Sequence, residues 1–456
     1  MSSQRLVEYI TRLNFEVILD SAKQDCKKLI LDALGIALRG SKTRHGKIAA
    51  NFAKEFNEKK ESTVIGYGCK TSCLNAAFAN GVMAHAIDFD DDYGPGMIHV
   101  GCAVIPVALA MGEVKKISGK DFITAIVGGY DVSCRVASSV APFHHTPLGY
   151  HTTGTANCFG AAAVAGKILE LNEDELLSAF GIAGDQAAGL RQYHYDGSML
   201  KHFHAGKAAQ NGILATLLAQ RGFTGSPQIL EGGYGFCKVL SQDHYNLAEL
   251  VKDLGEEFRV SQVIIKPFPS CAHTHTPIEA TLMIQRRCNL ELGEMESLIV
   301  HTYDLAASGI DKPSPETSLQ ALLSLQYCIA DILVRGSISV DDFWSSERLE
   351  DERVREVMKK IKIVEDPELT RIRKETHGHA RPAEVEIVLK GGDVLTERVD
   401  YCSGSPENPM SELELANKFR SLAFSVLSET KLEKLMNSIM KLEEVGDVRE
   451  LAELLY

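Results

Sequence analysis

The 456-residue chain has no excess of positive charge: 48 Lys and Arg stand against 61 Asp and Glu, a formal net charge of -13. Without a basic field to draw in phosphate backbones, nucleic acid is excluded as a partner. Long apolar runs are missing too. The longest uncharged one, Gly101 to Gly112, is well short of the ~20 residues a spanning helix needs, so no membrane partner is expected. The first residues, Met1 to Glu8, lack the basic-then-apolar order of a secretory signal, and a cytoplasmic location is expected. Eleven scattered cysteines make an odd count with no CxxC pair, and Cys69 and Cys73 have only CxxxC spacing. That pattern argues for reduced thiols and against a disulfide framework, a zinc site or an iron–sulfur cluster. Repeats and low-complexity tracts are absent. What is there, 45% hydrophobic and 24% charged residues, matches an ordinary globular enzyme. At this length folding buries roughly three quarters of the unfolded chain's surface, and two domains are expected.

Apolar periodicity predicts a helix over 20–40, begun by Asp20 or Ser21 and ended by Gly40, and further helices rich in Ala and Gly as far as Arg221. Small residues let helix backbones approach closely, which suits buried helices in a bundle. From about Ser261 the pattern turns β-branched, with strands predicted at Val263–Ile265, Leu298–Tyr303, Ile361–Val364 and Val385–Leu389. Val385–Leu389 and Val394–Val399 flank Gly391-Gly392-Asp393 as a hairpin. Ser411 and Glu414 form a capping box that opens a helical tail. The expected fold is mainly α: a large discontinuous helical domain, residues 1–262 completed by 404–456, interrupted by a smaller α/β lid domain at 263–403.

Four constellations carry chemistry. In His85-Ala-Ile-Asp88-Phe-Asp90-Asp91-Asp92, four acids crowd a helix end where the dipole disfavours them, with His85 and Asp88 expected on one helix face and His99 folding back after Gly94-Pro95-Gly96. Such crowding perturbs pKa values and marks a site. In His144-His145…Gly149-Tyr150-His151, imidazole precedes a helix start suited to a carboxylate. His151 is the functional candidate, while His144 and His145 read as surface histidines. Lys201-His202-Phe203-His204 is an anion trap just upstream of another helix. Lys266-Pro-Phe-Pro-Ser-Cys271-Ala-His273-Thr-His275 lies at the domain junction, where pockets form.

Taken with Asn80-Gly-Val-Met-Ala-His85, Lys201-x-x-His204-x-Gly-x-Ala-Ala209-x-Asn-Gly212 and Gly404-Ser-Pro-Glu-Asn-Pro-Met, these motifs resemble the MmgE/PrpD family over nearly the whole chain. The family includes 2-methylcitrate dehydratase, cis-aconitate decarboxylase and iminodisuccinate epimerase. The resemblance implies a helical domain with an inserted lid, a homodimer, no cofactor, and a pocket between the domains. Its active-site residues match Asp88, His99, His151, Lys201, Lys266 and Cys271. The chain departs from the decarboxylases, which carry a histidine at the position of Cys271 and a tyrosine at that of Gly309.

Chemistry beside a carboxylate must stabilise negative charge as a carbon-bound proton leaves, and cations and imidazoles do so. The leading expectation is a hydro-lyase acting on a small anionic di- or tricarboxylate. Asp88, His99, His151 and Lys201 are the catalytic set, with Asp88 orienting an imidazole and either histidine moving protons. His204, Lys266, Cys271 and His275 are the substrate-binding set. Proton return on the opposite face would make an epimerase, which sequence does not separate from the first reading; a decarboxylase ranks lower. A metal hydrolase using His85, Asp88, Asp90, Asp91 and His99 is the rival from another enzyme class. A non-enzymatic scaffold would have no reason to set imidazoles and lysines before helix starts.

Overall fold

The apolar run Gly101–Gly112 has no polar face, so a helix made from it must be buried on every side. The computed structural model describes residues 1–56, 59–336, 340 and 346–456. Its first part runs α1 (Ser2–Arg12), α2 (Asp20–Gly40), α3 (Arg44–Glu55), a small hairpin of β1 (Ser62–Val64) and β2 (Cys69–Thr71), then α4 (Cys73–Ala84), α5 (Gly101–Lys115), α6 (Gly119–Val140), α7 (Thr152–Thr155), α8 (Asn157–Ile168), α9 (Glu173–Asp185), α10 (Tyr193–Asp196) and α11 (Leu200–Ala219). Helix α5 is buried from Gly101 through Glu113, at the centre of one large apolar core. That core takes in Leu6, Ile30, Val104, Phe159 and Ile213, and also Leu415, Phe419, Leu435 and Leu455 from the far C-terminus. Helix Glu412–Ala423 starts with the expected capping box between Ser411 and Glu414.

A second core gathers Ile278, Leu298, Val300, Ile329, Val385 and Ile387. It covers a four-stranded mixed sheet in the order β4 (Ile361–Glu365), β3 (Met295–Thr302), β5 (Ala383–Leu389), β6 (Val394–Val399). β3 pairs parallel with β4 and antiparallel with β5, and β5–β6 is the expected hairpin, turned at Gly392 with φ of 91°. The protein is thus mainly α with a small mixed sheet. Among the described residues no helix is long and apolar enough to cross a membrane.

Three local expectations are corrected. Val263–Ile265 is not a strand; Ile264 makes only an isolated bridge to Asp92. Helix α4 ends at Ala84, with His85 as its C-cap and Asp88 at a left-handed φ of 51°, so His85 and Asp88 do not share a helix face. Lys201 and His204 lie inside the first turn of α11 rather than before it.

Glycine fixes one approach that the site depends on. A Cβ on Gly81 of α4 would stand 2.8 Å from the Gly206 Cα of α11, and one on Gly206 would stand 2.4 Å from the Phe78 carbonyl oxygen. This contact sets the start of α11, and Lys201 with it, against the loop that follows α4. Replacing Gly206 with alanine should push the helices apart and lower stability by about 1–3 kcal/mol, the usual range for overpacking, measured as a shift in urea midpoint with unchanged m-value.

Candidate active site

The loop from His85 to Val100 leaves the end of α4 and re-enters at the start of α5, and its four acids are all buried. Each meets a different kind of partner. The Asp88 Oδ1 lies 2.8 Å from Lys201 Nζ and 2.7 Å from Lys266 Nζ, which also donates to the Asp88 carbonyl at 3.1 Å. Asp90 Oδ2 is 2.7 Å from His85 Nδ1. Asp91 accepts the Val100 and Gly101 amides at the first turn of α5 and the Tyr130 hydroxyl. Asp92 pairs with the Arg381 guanidinium, and its backbone exchanges two hydrogen bonds with Ile264. Burial alone pushes Asp88 upward; Lys201 and then Lys266 outweigh it and hold the carboxyl well below the usual range. The same pair raises Lys201 against its own burial. Burial and the neighbouring Asp90 lift Asp91 to about 7.

Between the two apolar cores lies a cavity of about 580 Å³. Its helical side presents Asp88, His99, His145, His151 and Lys201, and its opposite side Lys266, Cys271, His273, Arg373 and Arg381. Arg191, Tyr193 and His194 close one end. Of the charged side chains on this wall five are cationic and only two, Asp88 and Asp92, are carboxylates, an inversion of the chain's overall charge. Arg381 Nη1 and Arg373 Nε are buried with no hydrogen-bond partner among the described residues.

The imidazoles are neutral. Burial, then Lys266, lowers His99 to about 4, and burial with His204 depresses His151 well below its usual value. His99 Nδ1 lies 2.7 Å from the Asp91 carbonyl oxygen. A carbonyl only accepts, so Nδ1 carries the proton and the Nε2 lone pair is left for the cavity. His151 Nδ1 is 3.0 Å from His204 Nδ1.

The structure therefore brings Asp88, His99, His151, Lys201, Lys266 and Cys271 to one cavity and leaves two expected residues outside it. His204 sits behind His151 and Tyr193 and meets the wall through their rings. His275 is buried against the Ser270 carbonyl, 3.2 Å from Nε2, because the start of its helix turns the ring inward. Asp88 orients no imidazole; Asp90 does, and Asp88 bridges two ammoniums. His145, read as a surface histidine, lines the cavity and bonds Thr152 Oγ1 at 3.1 Å, whereas His144 is structural, held between the Leu240 carbonyl and Thr155. Arg191, Arg373 and Arg381 were not among the expected residues. The Cys271 thiol is pushed up by burial and then by Asp88, which suits a protonated wall residue rather than a thiolate nucleophile. The five residues of the metal hydrolase reading do not converge on one point, since Asp88 is held by lysines and Asp91 by helix amides. Among the described residues only His85, Asp90 and Cys102 offer ligand atoms within 4.8 Å of one another.

A cavity of this kind, walled by paired carboxylates, ammoniums and neutral imidazoles, has the groups to hold a small anion and to move protons. The profile of the MmgE/PrpD N-terminal domain matches residues 4–248, and that of the C-terminal domain matches residues 268–444. The chain belongs to the MmgE/PrpD family. It is 30% identical over 442 residues to a cis-aconitate decarboxylase of Mus musculus, covering 94% of this chain and 88% of that protein. Identity to a cis-aconitate decarboxylase of Aspergillus terreus (strain NIH 2624 / FGSC A1156) is 29% over 450 residues, covering 94% and 90%. Identity to a 2-methylcitrate dehydratase of Cupriavidus necator is 23% over 449 residues, covering 91% and 88%.

Two outcomes follow from the electrostatics. Asp88→Asn leaves two ammoniums buried together without their counter-charge, and breaking a buried pair in this way costs about 3–5 kcal/mol, readable as a lowered urea midpoint. Second, His45, His99, His144 and His204 each fall to about 4, chiefly through burial. Between pH 6.5 and 4 the unfolded chain takes up protons that these folded imidazoles refuse, so stability is full above 6.5 and falls as pH drops, by up to about 1.4 kcal/mol per pH unit for each. Asp91, raised in the fold, opposes this with a single proton. Melting temperature recorded across that window should decline steadily; a flat profile would contradict the neutral assignment.

Proposed function

We propose that the chain is a hydro-lyase that removes water from, or adds it to, a small di- or tricarboxylate without a cofactor. The observation that carries this reading is the surplus of cationic side chains around two neutral imidazoles in one cavity of a strongly acidic protein. Substrate carboxylates would sit on Arg373 and Arg191, which line the cavity with no carboxylate partner among the described residues, and on the Arg381 Nη1 that the pairing with Asp92 leaves free. Lys201 and Lys266, fixed by Asp88, face the carboxylate whose neighbouring carbon loses its proton, and they hold the negative charge that develops on its oxygens. His99 takes the proton on Nε2, the one ring nitrogen left with a lone pair. His151, its basicity raised once carboxylates share the cavity, takes a proton from solvent and gives it to the departing hydroxyl; water leaves as the carbon–carbon double bond forms, and the proton on His99 returns to solvent. Hydration runs the same steps backward.

In this reading residues 263–403 act as a lid. They bring Lys266, Arg373 and Arg381 to the helical side and exclude water, which strengthens every charge interaction inside. The homodimer implied by the family resemblance belongs to the same proposal. An epimerase would use the same first step and return the proton to the other face. The decarboxylase activity in the names of the mouse and Aspergillus relatives is less favoured: Gly309 lies on the cavity wall, and a Cβ built there meets nothing within 4 Å, so the wall supplies no group at that point.

The test is proton NMR in D₂O with hydroxylated and unsaturated di- and tricarboxylates, 2-methylcitrate and cis-aconitate among them. Interconversion of alcohol and alkene supports the hydro-lyase. Deuterium entry with inversion and no loss of hydroxyl makes the protein an epimerase, and release of carbon dioxide makes it a decarboxylase. His99→Gln keeps size but not basicity and should lower turnover by about 10²- to 10⁴-fold with little change in melting temperature. Wild-type turnover in that variant would move the base elsewhere.

A further inference from the structure

Lys201 and His202 are adjacent, yet they face different cavities. Lys201 lines the one described above, and His202 lines a second of about 570 Å³ on the other side of the start of α11. No carboxylate lines the second cavity among the described residues, while Lys42 and Arg44, both exposed and neither paired with an acid, stand at its wall. His202 is only 3% exposed, and its ring stacks on that of His45 with centroids 4.1 Å apart. Its Nδ1 lies 2.7 Å from the His85 carbonyl oxygen, so Nδ1 bears the proton and Nε2 presents a lone pair. Among the described residues no protein group meets that lone pair. Ser198 Oγ, on the same wall, is buried without a hydrogen-bond partner, and the 20-residue helix α11 begins there with no side-chain cap.

We infer that this second cavity binds a phosphate group, free or as a monoester, that still carries one proton. The P–O–H group donates to His202 Nε2, while the negative oxygens accept from Ser198, from the uncapped amides at the start of α11 and from Lys42 and Arg44. A fully ionised oxyanion has no proton to offer Nε2 and leaves that nitrogen unmet, so the site should prefer phosphate to sulfate. Burial, then the neighbouring His45, His85 and Lys201, hold His202 neutral when the cavity is empty, in keeping with an acceptor role. The bound group would lie one residue from Lys201, and through the His85 carbonyl it would touch the loop that holds Asp88.

The test is titration calorimetry of the full chain with inorganic phosphate and with sulfate at pH 6.5, on wild type, on the double variant Lys42→Ala/Arg44→Ala and on Arg191→Ala. Both side chains of the double variant are exposed, so it should melt as wild type does. Phosphate should bind wild type and Arg191→Ala alike, and at least about tenfold more weakly to the double variant; sulfate should bind wild type about tenfold more weakly than phosphate does. A loss in Arg191→Ala with none in the double variant would put phosphate in the first cavity and overturn the inference. Equal binding of sulfate would leave only unselective charge attraction, and the absence of heat at millimolar phosphate would remove the site. None of these outcomes depends on which reaction the first cavity performs.

Discussion

A single carboxylate oxygen of Asp88, buried and shared between two lysine ammoniums, is the interaction on which the rest of the structure depends. One lysine comes from the start of α11 and the other from the segment leading into the second core, so this oxygen joins the two halves of the protein at the cavity floor. Taking three charges out of water is unfavourable unless geometry and further hydrogen bonds compensate. The compensation is visible in the surrounding backbone. Lys266 also bonds the Asp88 carbonyl, and Lys418 of the C-terminal helix Glu412–Ala423 bonds the carbonyls of Phe89 and Lys266 while its ammonium lies 2.6 Å from Asp32. The C-terminus thus holds the loop and the second lysine together from behind.

The four acids explain why that loop can be both buried and acidic. Carboxylates sharing one solvent would repel; here an ammonium pair, an imidazole, a helix start and a guanidinium each take one. Asp91 at the start of α5 sits at the positive end of a helix dipole. The arrangement disperses charge instead of focusing it, which is the opposite of what a shared metal ion requires.

How much of this was legible in the sequence follows from what sequence neighbours can tell. The helix over 20–40, the β5–β6 hairpin and the Ser411–Glu414 box are local patterns, and each is found where the periodicity puts it. Six of the eight expected site residues reach the cavity, because crowded acids, imidazoles and lysines around glycine and proline are a local signal of unusual chemistry. His204 and His275 fail for a geometric reason. Once Lys201 and His204 lie within one helical turn, the facing of each ring is set by packing against α4 and α7, which sequence adjacency does not encode. Arg191, Arg373 and Arg381 left no signal of any kind. Arg191 and Arg381 stand singly in polar stretches and Arg373 stands beside Arg371 and Lys374, all of the sort that usually face water, and only the folding of residues 373–381 against the segment of Arg191 around one cavity makes them a set.

The cavity's chemistry comes from the balance between those arginines and the imidazoles. Burial, then Lys266, lowers His99 to about 4, so the imidazole is a weak base while the cavity is empty. In the proposed reading an entering polycarboxylate reverses the sign of the local field: it gives Arg373 and Arg191 a counter-charge, weakens the repulsion that Lys266 exerts on a protonated His99, and raises that imidazole towards the range where proton transfer is efficient. Lys201 and Lys266 keep their place, because one oxygen of Asp88 holds both ammoniums. In that reading the base is strengthened by the molecule it acts on, while the two ammoniums that face the developing negative charge are held in place. Binding energy from the remote carboxylates is in this way converted into basicity at His99, beside the carbon that loses its proton.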